Sequence, residues 1–250
     1  MPKKIKFVPG DPYALKNIPA PIPSKEFIPR WYKDAEIAIS EKTGKVAGVN
    51  DRDVSGGLKS CMPFLDAMIS GYLICSWQDY YVKTSESLEE MYAVSINPYT
   101  DKHEKTNFHG PEMLRRRDGD IGHTIPRPEG YCSDHMAFSG QWGARLPKGW
   151  SALITHPFNR FDLPFITTSG IMDADEWWTG GNIPFFFKKN FEGIIPSGTP
   201  IAQIIPIKRS SWISSISTFS VKRQNYLADK VRSVPMGWYR DNIWVKKKYD

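Results

Sequence analysis

Cysteine is scarce in this sequence of 250 residues, which contains only Cys61, Cys75 and Cys132. The number is odd and no two of them are spaced as CxxC, so neither a disulfide framework nor a cysteine zinc motif is expected. We expect three buried, free thiols in a protein that works in a reducing compartment.

Long apolar runs are also missing. The longest of them, such as residues 183–187 (IPFFF), are far shorter than the roughly 20 residues that a membrane helix needs. The basic first residues are followed by proline and aspartate, and not by the apolar stretch of a signal peptide. We therefore expect no membrane partner and no export through a signal peptide.

The short fingerprints of common enzymes are absent, since the sequence has no P-loop, no GxGxxG and no GxSxG. The histidines do not follow the HxH or HExxH spacing that builds a metal site on one strand or helix. They are His103, His109, His123, His135 and His156. The spacing of the histidines therefore gives no indication of a metal site.

What is present is the composition of a globular protein, with 40% hydrophobic, 13% aromatic and 24% charged residues. The net charge of +6 comes largely from short basic runs at residues 114–117, 222–223, 230–232 and 246–248. No nucleic-acid reading motif accompanies them. A solvated basic face is the favoured interpretation, and nucleic-acid binding through these segments is the alternative.

The sequence divides into three segments by composition. Prolines recur through residues 7–30 and exclude a continuous helix or a central strand, which predicts a Pro-rich extended arm over residues 1–32. Residues 33–212 are predicted to form a β-rich core. Residues 213–250 are predicted to form an amphipathic helix, over 213–234, and a basic, aromatic tail.

Short β runs separated by glycine and proline define the predicted core. They lie at residues 149–155, 165–168, 183–188, 191–195 and 201–207. This spacing is typical of an all-β sandwich or barrel. The predicted fold class is therefore mostly β, with the Pro-rich arm before the core and the helix after it.

Two carboxylates follow one another closely in residues 169–175 (SGIMDAD). Asp173 and Asp175 are at i and i+2, on the same face of an extended segment. Such a pair can orient a water molecule or bind a metal ion, whereas aspartates in turns more often cap backbone N–H groups. Gln203, in the β run at residues 201–207, also has two interpretations: its side chain could form a hydrogen bond with a neighbouring strand or with a ligand.

Three segments resemble motifs of the dUTPase and dCTP deaminase superfamily in order and approximate spacing. They are residues 146–150 (LPKGW), 169–175 (SGIMDAD) and 198–203 (GTPIAQ). In that family a Pro-Gly segment precedes a Gly-[Val/Ile]-Ile-Asp-x-Asp-Tyr turn and a Gly-Asp-x-Ile-Ala-Gln strand. The resemblance implies a β-barrel or β-prism core and, usually, a homotrimer.

The resemblance also implies roles for particular residues if the protein is an enzyme. Asp173 would be the base that activates the attacking water, and Asp175 would orient that water or a Mg²⁺ ion. The ligand contacts that it implies are Arg160, Gln203, Asn159 and Trp177.

The sequence departs from the family pattern where the substrate binds. Glu176 occupies the position of the motif's tyrosine, and Thr199 replaces the aspartate of the strand motif. The phosphate-binding Arg-Ser-Gly motif is missing, with residues 157–160 (PFNR) as the nearest candidate. No Gly-rich C-terminal arm is present. These losses affect substrate binding more than folding.

The sequence also resembles an uncharacterised family found largely in tailed phages and bacteria. Residues 61–68 (CMPFLDAM), 156–165 (HPFNRFDLPF) and the turn with Asp173 carry this resemblance. Fold motifs without phosphate motifs suggest a non-enzymatic, virion-associated structural or accessory protein. It would need no cofactor, form a homotrimer, bind other phage proteins and reside in the host cytoplasm or the virion. The alternative is a Mg²⁺-dependent nucleotide pyrophosphatase.

Overall fold

The computed structural model describes residues 3–40, 54–106, 110–117, 125–233 and 237–250. The predicted mostly β class is confirmed, with 36% strand and 19% helix. The strands are β1 Lys6–Pro9, β2 Ile22–Pro23, β3 Ala38–Ser40, β4 Val54–Gly56, β5 Tyr72–Cys75, β6 Asp79–Thr84, β7 Leu88–Ile96, β8 His103–Lys105, β9 Leu114–Arg116, β10 Met136–Ser139, β11 Trp142–Arg145, β12 Trp150–Thr155, β13 Phe165–Thr167, β14 Gly170–Met172, β15 Asn182–Phe187, β16 Glu192–Ile195 and β17 Pro200–Lys208.

Five helices lie in the described part of the chain. They are α1 Pro12–Asn17, α2 Arg30–Asp34, α3 Met62–Ile69, α4 Val221–Ser233 and α5 Trp238–Asn242, with 3-10 turns at Ser24–Phe27 and Leu58–Ser60. None of the described helices is long and apolar enough to cross a membrane.

The strands form several antiparallel sheets. Their orders are β14-β12-β17-β5-β2, β13-β15-β10-β9, β16-β6-β7-β8, β1-β11 and β3-β4. Within the described ranges none of these sheets closes into a barrel. The structure therefore supports the β class but not the predicted barrel.

The main apolar core lies around the aromatic residues of β15. Phe185 and Phe187 are fully buried, and the ring of Phe185 stacks on Phe138 of β10 at a centroid distance of 3.9 Å. Phe165 of β13 meets both rings edge-on. Such contacts add to the burial of large rings. The predicted IPFFF run is thus a central strand buried among its neighbours.

Strand β17 is central at one end and an edge at the other. Its register with β5 ends at Ile204, whereas its register with β12 continues to Lys208. Pro206 pairs with Ala152 of β12 and has no β5 residue opposite it. A proline cannot donate a hydrogen bond to a neighbouring strand. It is tolerated at position 206 because β17 has only one neighbouring strand there.

The predicted extended arm is only partly extended. Residues 12–17 form α1, which begins where Asp11 accepts a 2.7 Å hydrogen bond from the backbone N–H of Ala14. Pro12 occupies the first helical turn, where its missing N–H has no cost. Asp11 and Pro12 therefore start a helix, although the number of prolines in this region predicted an extended chain.

The chain forms two compact units. One contains Met1–Pro23 and Gly71–Arg209, and the other contains Ser24–Ser70 and Ser210–Asp250. Each unit is made from two separate stretches of sequence. The predicted segments 1–32, 33–212 and 213–250 divide the chain at other positions.

The C-terminal helix starts later than predicted. Helix α4 begins at Val221 and not at Ile213, and residues 210–220 have no regular structure. The predicted end at Val234, before Pro235, lies outside the described residues, as do His109 and His123. Serine-rich sequence explains the late start, since serine favours caps and turns over helix interiors.

The three cysteines differ in exposure. Burial raises the pKa of the Cys132 thiol, whose Sγ lies 3.5 Å from the backbone oxygen of Lys188. Burial also raises the pKa of Cys75, to about 12. Cys61 is exposed, so the expectation of three buried thiols is wrong for this residue.

The chain's last residues are bound by helix α3. The carboxylate of Asp66 accepts a 2.9 Å hydrogen bond from the indole N–H of Trp244 and a 2.5 Å bond from the ammonium group of Lys247. Lys25 forms an ion pair with Asp250. Both contacts lie within the second unit, and they hold the basic, aromatic tail in place.

Replacing Asp66 should release this tail. We expect Asp66→Ala to lower the free energy of unfolding by about 1–3 kcal/mol, because a partly buried acceptor of two hydrogen bonds is lost. Trypsin should also cleave faster at Lys246 to Lys248. Asp34→Ala is the matched control, since the Arg30–Asp34 pair is exposed and should contribute little. Unchanged cleavage in Asp66→Ala would show that the tail is held by other contacts.

Candidate functional site

The predicted turn follows the edge strand β14. Its backbone closes where the N–H groups of Glu176 and Trp177 both donate to the oxygen of Asp173, at 3.1 and 2.9 Å. Ala174 is fully buried in a small apolar cluster, and its oxygen accepts a 3.0 Å bond from the N–H of Leu146. The buried alanine holds the turn, and the two aspartates on either side of it point to polar partners.

Both aspartates bind one cation, the guanidinium of Arg209. Nη1 of Arg209 lies 3.0 Å from Oδ1 of Asp173 and 2.8 Å from Oδ1 of Asp175. The second nitrogen, Nη2, binds Oδ2 of Asp175, so the Asp175 contact is bidentate. Paired N–H···O bonds of this kind are among the strongest that side chains form. The carboxylates therefore share a single counter-ion.

Gly149, directly before β12, and Ser151 of β12 supply further contacts of the two acids. The backbone N–H of Gly149 donates to Oδ2 of Asp175 at 2.7 Å, and Ser151 Oγ donates to Oδ1 of Asp173 at 2.7 Å. Gly149 has φ of +81°, a conformation that favours glycine, and its oxygen accepts the N–H of Arg209 at 2.9 Å. The end of β17 and the start of β12 thus enclose the turn.

The two carboxylates differ in exposure and in charge environment. The side chain of Asp175 is 3% exposed, and that of Asp173 is 65% exposed. The hydrogen bond from Arg209, followed by the Gly149 N–H, lowers the pKa of Asp175 to about 2. The same pairing raises the pKa of Arg209. Asp175 is therefore a fixed anion in a structural ion pair, whereas one side of Asp173 faces solvent.

This arrangement is a poor site for Mg²⁺. A magnesium ion needs several oxygen ligands in an octahedron, and here the guanidinium lies between the two carboxylates. No group of three acidic, histidine or cysteine side chains that could hold a metal occurs in the described part of the chain. The two acids therefore do not fit a metal ion while Arg209 binds them.

Gln203 and Arg160 lie at the other end of β12. Gln203 pairs with Thr155, four residues along β12 from Ser151, which corresponds to about 13 Å. Its buried side chain accepts a 2.8 Å bond from the N–H of Phe158. Of the two readings for Gln203, the structure shows a bond to the protein itself.

Arg160 and Asn159 belong to the loop that follows β12. The guanidinium of Arg160 makes a bidentate contact with Asp162, at 2.9 and 2.8 Å, and Asn159 adopts φ of 60°. His156 fixes this loop, since its Nδ1 accepts from the N–H of Thr167 and its Nε2 donates to the oxygen of Arg160. Burial lowers the pKa of His156, which keeps the ring neutral.

The predicted ligand residues are therefore not brought together within one chain. Asp173 and Asp175 lie near the start of β12, and Arg160, Asn159 and Gln203 lie near its end. Trp177 lies between the two groups, beside Ile154 and Ile204. Sequence reasoning missed Arg209, Gly149 and Ser151. A signal for Arg209 existed in the two cations, Lys208 and Arg209, that follow the predicted strand 201–207, but only the strand pairing shows which acids Arg209 meets.

Trp177 lines a cavity of about 120 Å³ beside the turn. The walls are mostly apolar and include Trp142, Met172 and Ile204. Trp177 itself is 65% exposed. The backbone of the neighbouring Trp178 lies close to β11, where a Cβ on Gly143 would be 1.5 Å from the Trp178 oxygen. The cavity is large enough for a small apolar or aromatic group.

The predicted basic segments have different roles. Nη2 of Arg116 donates to the backbone oxygen of Leu88 at 2.8 Å, and Nη1 lies 3.4 Å from Asp134, so this arginine supports the fold. Lys222 and Arg223 of α4 are exposed and have no acidic partner in the described ranges. The two cations of α4 are therefore among those available to a partner.

Comparison of the sequence with protein-family models and with curated proteins gives no match. The resemblance to the dUTPase and dCTP deaminase superfamily therefore stays a prediction, and the function is argued from the site.

The Asp175 ion pair predicts an acid-sensitive contribution to stability. The pKa of Asp175 is about 2 in the folded protein, below its ordinary 3.8, so the unfolded chain takes up this proton first. The stabilisation is complete above about pH 5 and is lost as the pH falls toward 2. The free energy of unfolding should fall more steeply between these values for the wild type than for Asp175→Asn.

Urea titrations at each pH measure this difference. Asp34→Asn, which removes an exposed carboxylate, is the control and should keep the wild-type slope. Parallel curves for the wild type and Asp175→Asn would contradict a stabilising role for the Arg209–Asp175 pair.

Proposed function

We propose that this protein is a non-enzymatic structural or accessory protein of a phage-type particle, built on a dUTPase-like core and assembling as a homotrimer. The observation that carries the proposal is that one guanidinium, Arg209, binds both acids of the catalytic-type turn. The guanidinium lies between the two carboxylates and holds Asp175 as an anion, so a metal ion could bind both acids only by displacing Arg209. The turn then serves to join strands.

The partners of the two predicted substrate contacts support the same proposal. Arg160 is bound by Asp162, and Gln203 is buried against the backbone of Phe158. Neither side chain has its hydrogen-bonding groups directed at the two acids. In this proposal the protein acts in the host cytoplasm and in the virion, and its partners are copies of itself and other particle proteins.

A nucleotide pyrophosphatase is the second candidate, because two observations favour it. The side chain of Asp173 is 65% exposed, and the apolar cavity lined by Trp177 lies next to it. Since Arg160 is separated from Asp173 within one chain, a complete site would need Arg160 from a neighbouring copy, while the buried Gln203 would hold the loop that carries it. Asp173 would then act as the base toward water.

Pyrophosphate release separates the two candidates. We expect a panel of nucleoside triphosphates with Mg²⁺ to give no more pyrophosphate with the wild type than with Asp173→Asn. The substitution keeps the shape and removes the charge, so loss of an activity in Asp173→Asn would establish the enzyme and refute the structural proposal. Thermal unfolding of both proteins checks that the variant is folded.

The assembly is tested independently. Light scattering after gel filtration should give about three times the 28.5 kDa mass of one chain. A monomer over the whole accessible concentration range would contradict the proposed homotrimer without bearing on the assay above.

A further inference from the structure

Positive charge is concentrated in the C-terminal stretch of the second unit. Residues Ser210–Asp250 contain eight lysines and arginines and three aspartates, a net charge of +5 in a chain whose total is +6. In the tail, Lys247 is bound by Asp66 and Arg240 is paired with Asp241. Residues 210–230, which we call the arm, contain three cations, Lys222, Arg223 and Lys230, against one acid, Asp229, and so have a net charge of +2.

The arm also exposes large apolar side chains. Trp212 is 89% exposed, Ile213 97%, Ile216 102% and Phe219 71%. Tyr226 and Leu227 of α4 are exposed as well. A protein surface rarely leaves so many neighbouring apolar groups in water unless another molecule covers them. The arm is thus a candidate interface.

The sequence of the arm continues the helical period of α4. Trp212, Ile216 and Phe219 are spaced by four and three residues, and Tyr226 follows two turns later. Extending α4 toward Trp212 would place these side chains on one side, with serines and Thr218 around the rest. In the free protein α4 begins after Ser220, whose oxygens accept the N–H groups of Arg223 and Gln224.

The mixture of charge and apolar groups limits what can cover the arm. A second copy of the arm would bring like charges together, because Lys222 and Arg223 lie beside the apolar stripe. Aliphatic residues such as Ile213 and Ile216 do not stack on nucleic-acid bases as aromatic rings do. An acidic protein groove with an apolar floor satisfies both the charge and the apolar surface.

We propose that the arm is a docking element for an acidic, apolar groove of another protein, and that α4 extends toward Trp212 as the arm binds. This inference rests on the proposed structural role but not on the homotrimer. The free arm remains irregular because serine is a poor helix former and no apolar surface covers it. The partner's groove supplies that surface.

The experiment selects binders with the full chain. Immobilised protein is used to select from a display library of random peptides of about 20 residues, long enough to form an amphipathic helix that covers the apolar side of the arm. Clones that also bind the variant Trp212→Ser/Ile216→Ser/Phe219→Ser are removed. We expect enrichment of peptides rich in Asp and Glu, with apolar residues at helical spacing. No enrichment, or enrichment without acidic bias, overturns the proposal.

An enriched peptide is then synthesised and its affinity measured by fluorescence anisotropy. The triple variant should weaken binding about tenfold or more, and Lys222→Gln/Arg223→Gln should remove most of its salt dependence. Tyr99→Ser/Phe161→Ser, which alters exposed aromatic residues elsewhere, is the matched control and should bind like the wild type. Far-UV circular dichroism should show a gain of helix on mixing. Equal loss in the control, or no gain of helix, contradicts the inference.

Three further probes distinguish other occupants. If phosphatidylglycerol vesicles or labelled oligo(dT) bind through Trp212, Ile216 and Phe219 more tightly than the selected peptides, the partner is not a protein groove. If the triple variant dissociates a homotrimer, the arm joins copies of this chain. That result would overturn the docking inference and support the proposed homotrimer. A wild type that is monomeric but binds acidic peptides would contradict the homotrimer and support the docking inference.

Discussion

The contact between Arg209 and the two aspartates joins three stretches of chain that are distant in sequence. It connects the end of β17, the start of β12 and the turn after β14. Asp175 is almost completely buried, and a buried carboxylate without a cation would strongly destabilise the fold. The N–H of Gly149 donates to Asp175 and its oxygen accepts from the N–H of Arg209, so the backbone of Gly149 binds both members of the ion pair. The two acids of the turn thus have a structural role, whatever their chemistry.

The β runs of the second half could be predicted because each is short, apolar and bounded by glycine or proline. The predicted strands at 149–155, 183–188 and 201–207 correspond to β12, β15 and β17. Their pairing order could not be predicted, since it depends on contacts between distant residues. The N-terminal region was harder, because six prolines suggested extension while the Asp11 cap and Pro12 started a helix.

The site was predictable in part for a similar reason. The turn and its two acids are local, and their sequence was sufficient to find them. Their state depends on Arg209, which is more than thirty residues away and meets them only through the pairing of β12 with β17. The pairing also separates Gln203 from Asp173, which no spacing along the sequence reveals. A motif gives the residues of a site, and the sheet register decides their partners.

The composition of the second unit has a consequence for biosynthesis. Asp66 meets Trp244 across 178 positions of sequence, so α3 leaves the ribosome long before its partner is made. Most of the first unit, Gly71–Arg209, is synthesised between these two stretches. Helix α3 can pack early on residues made before it, since Phe64 meets the rings of Trp31 and Tyr32. Its contact with the tail forms last, so the carboxylate of Asp66 lacks Trp244 and Lys247 for most of translation.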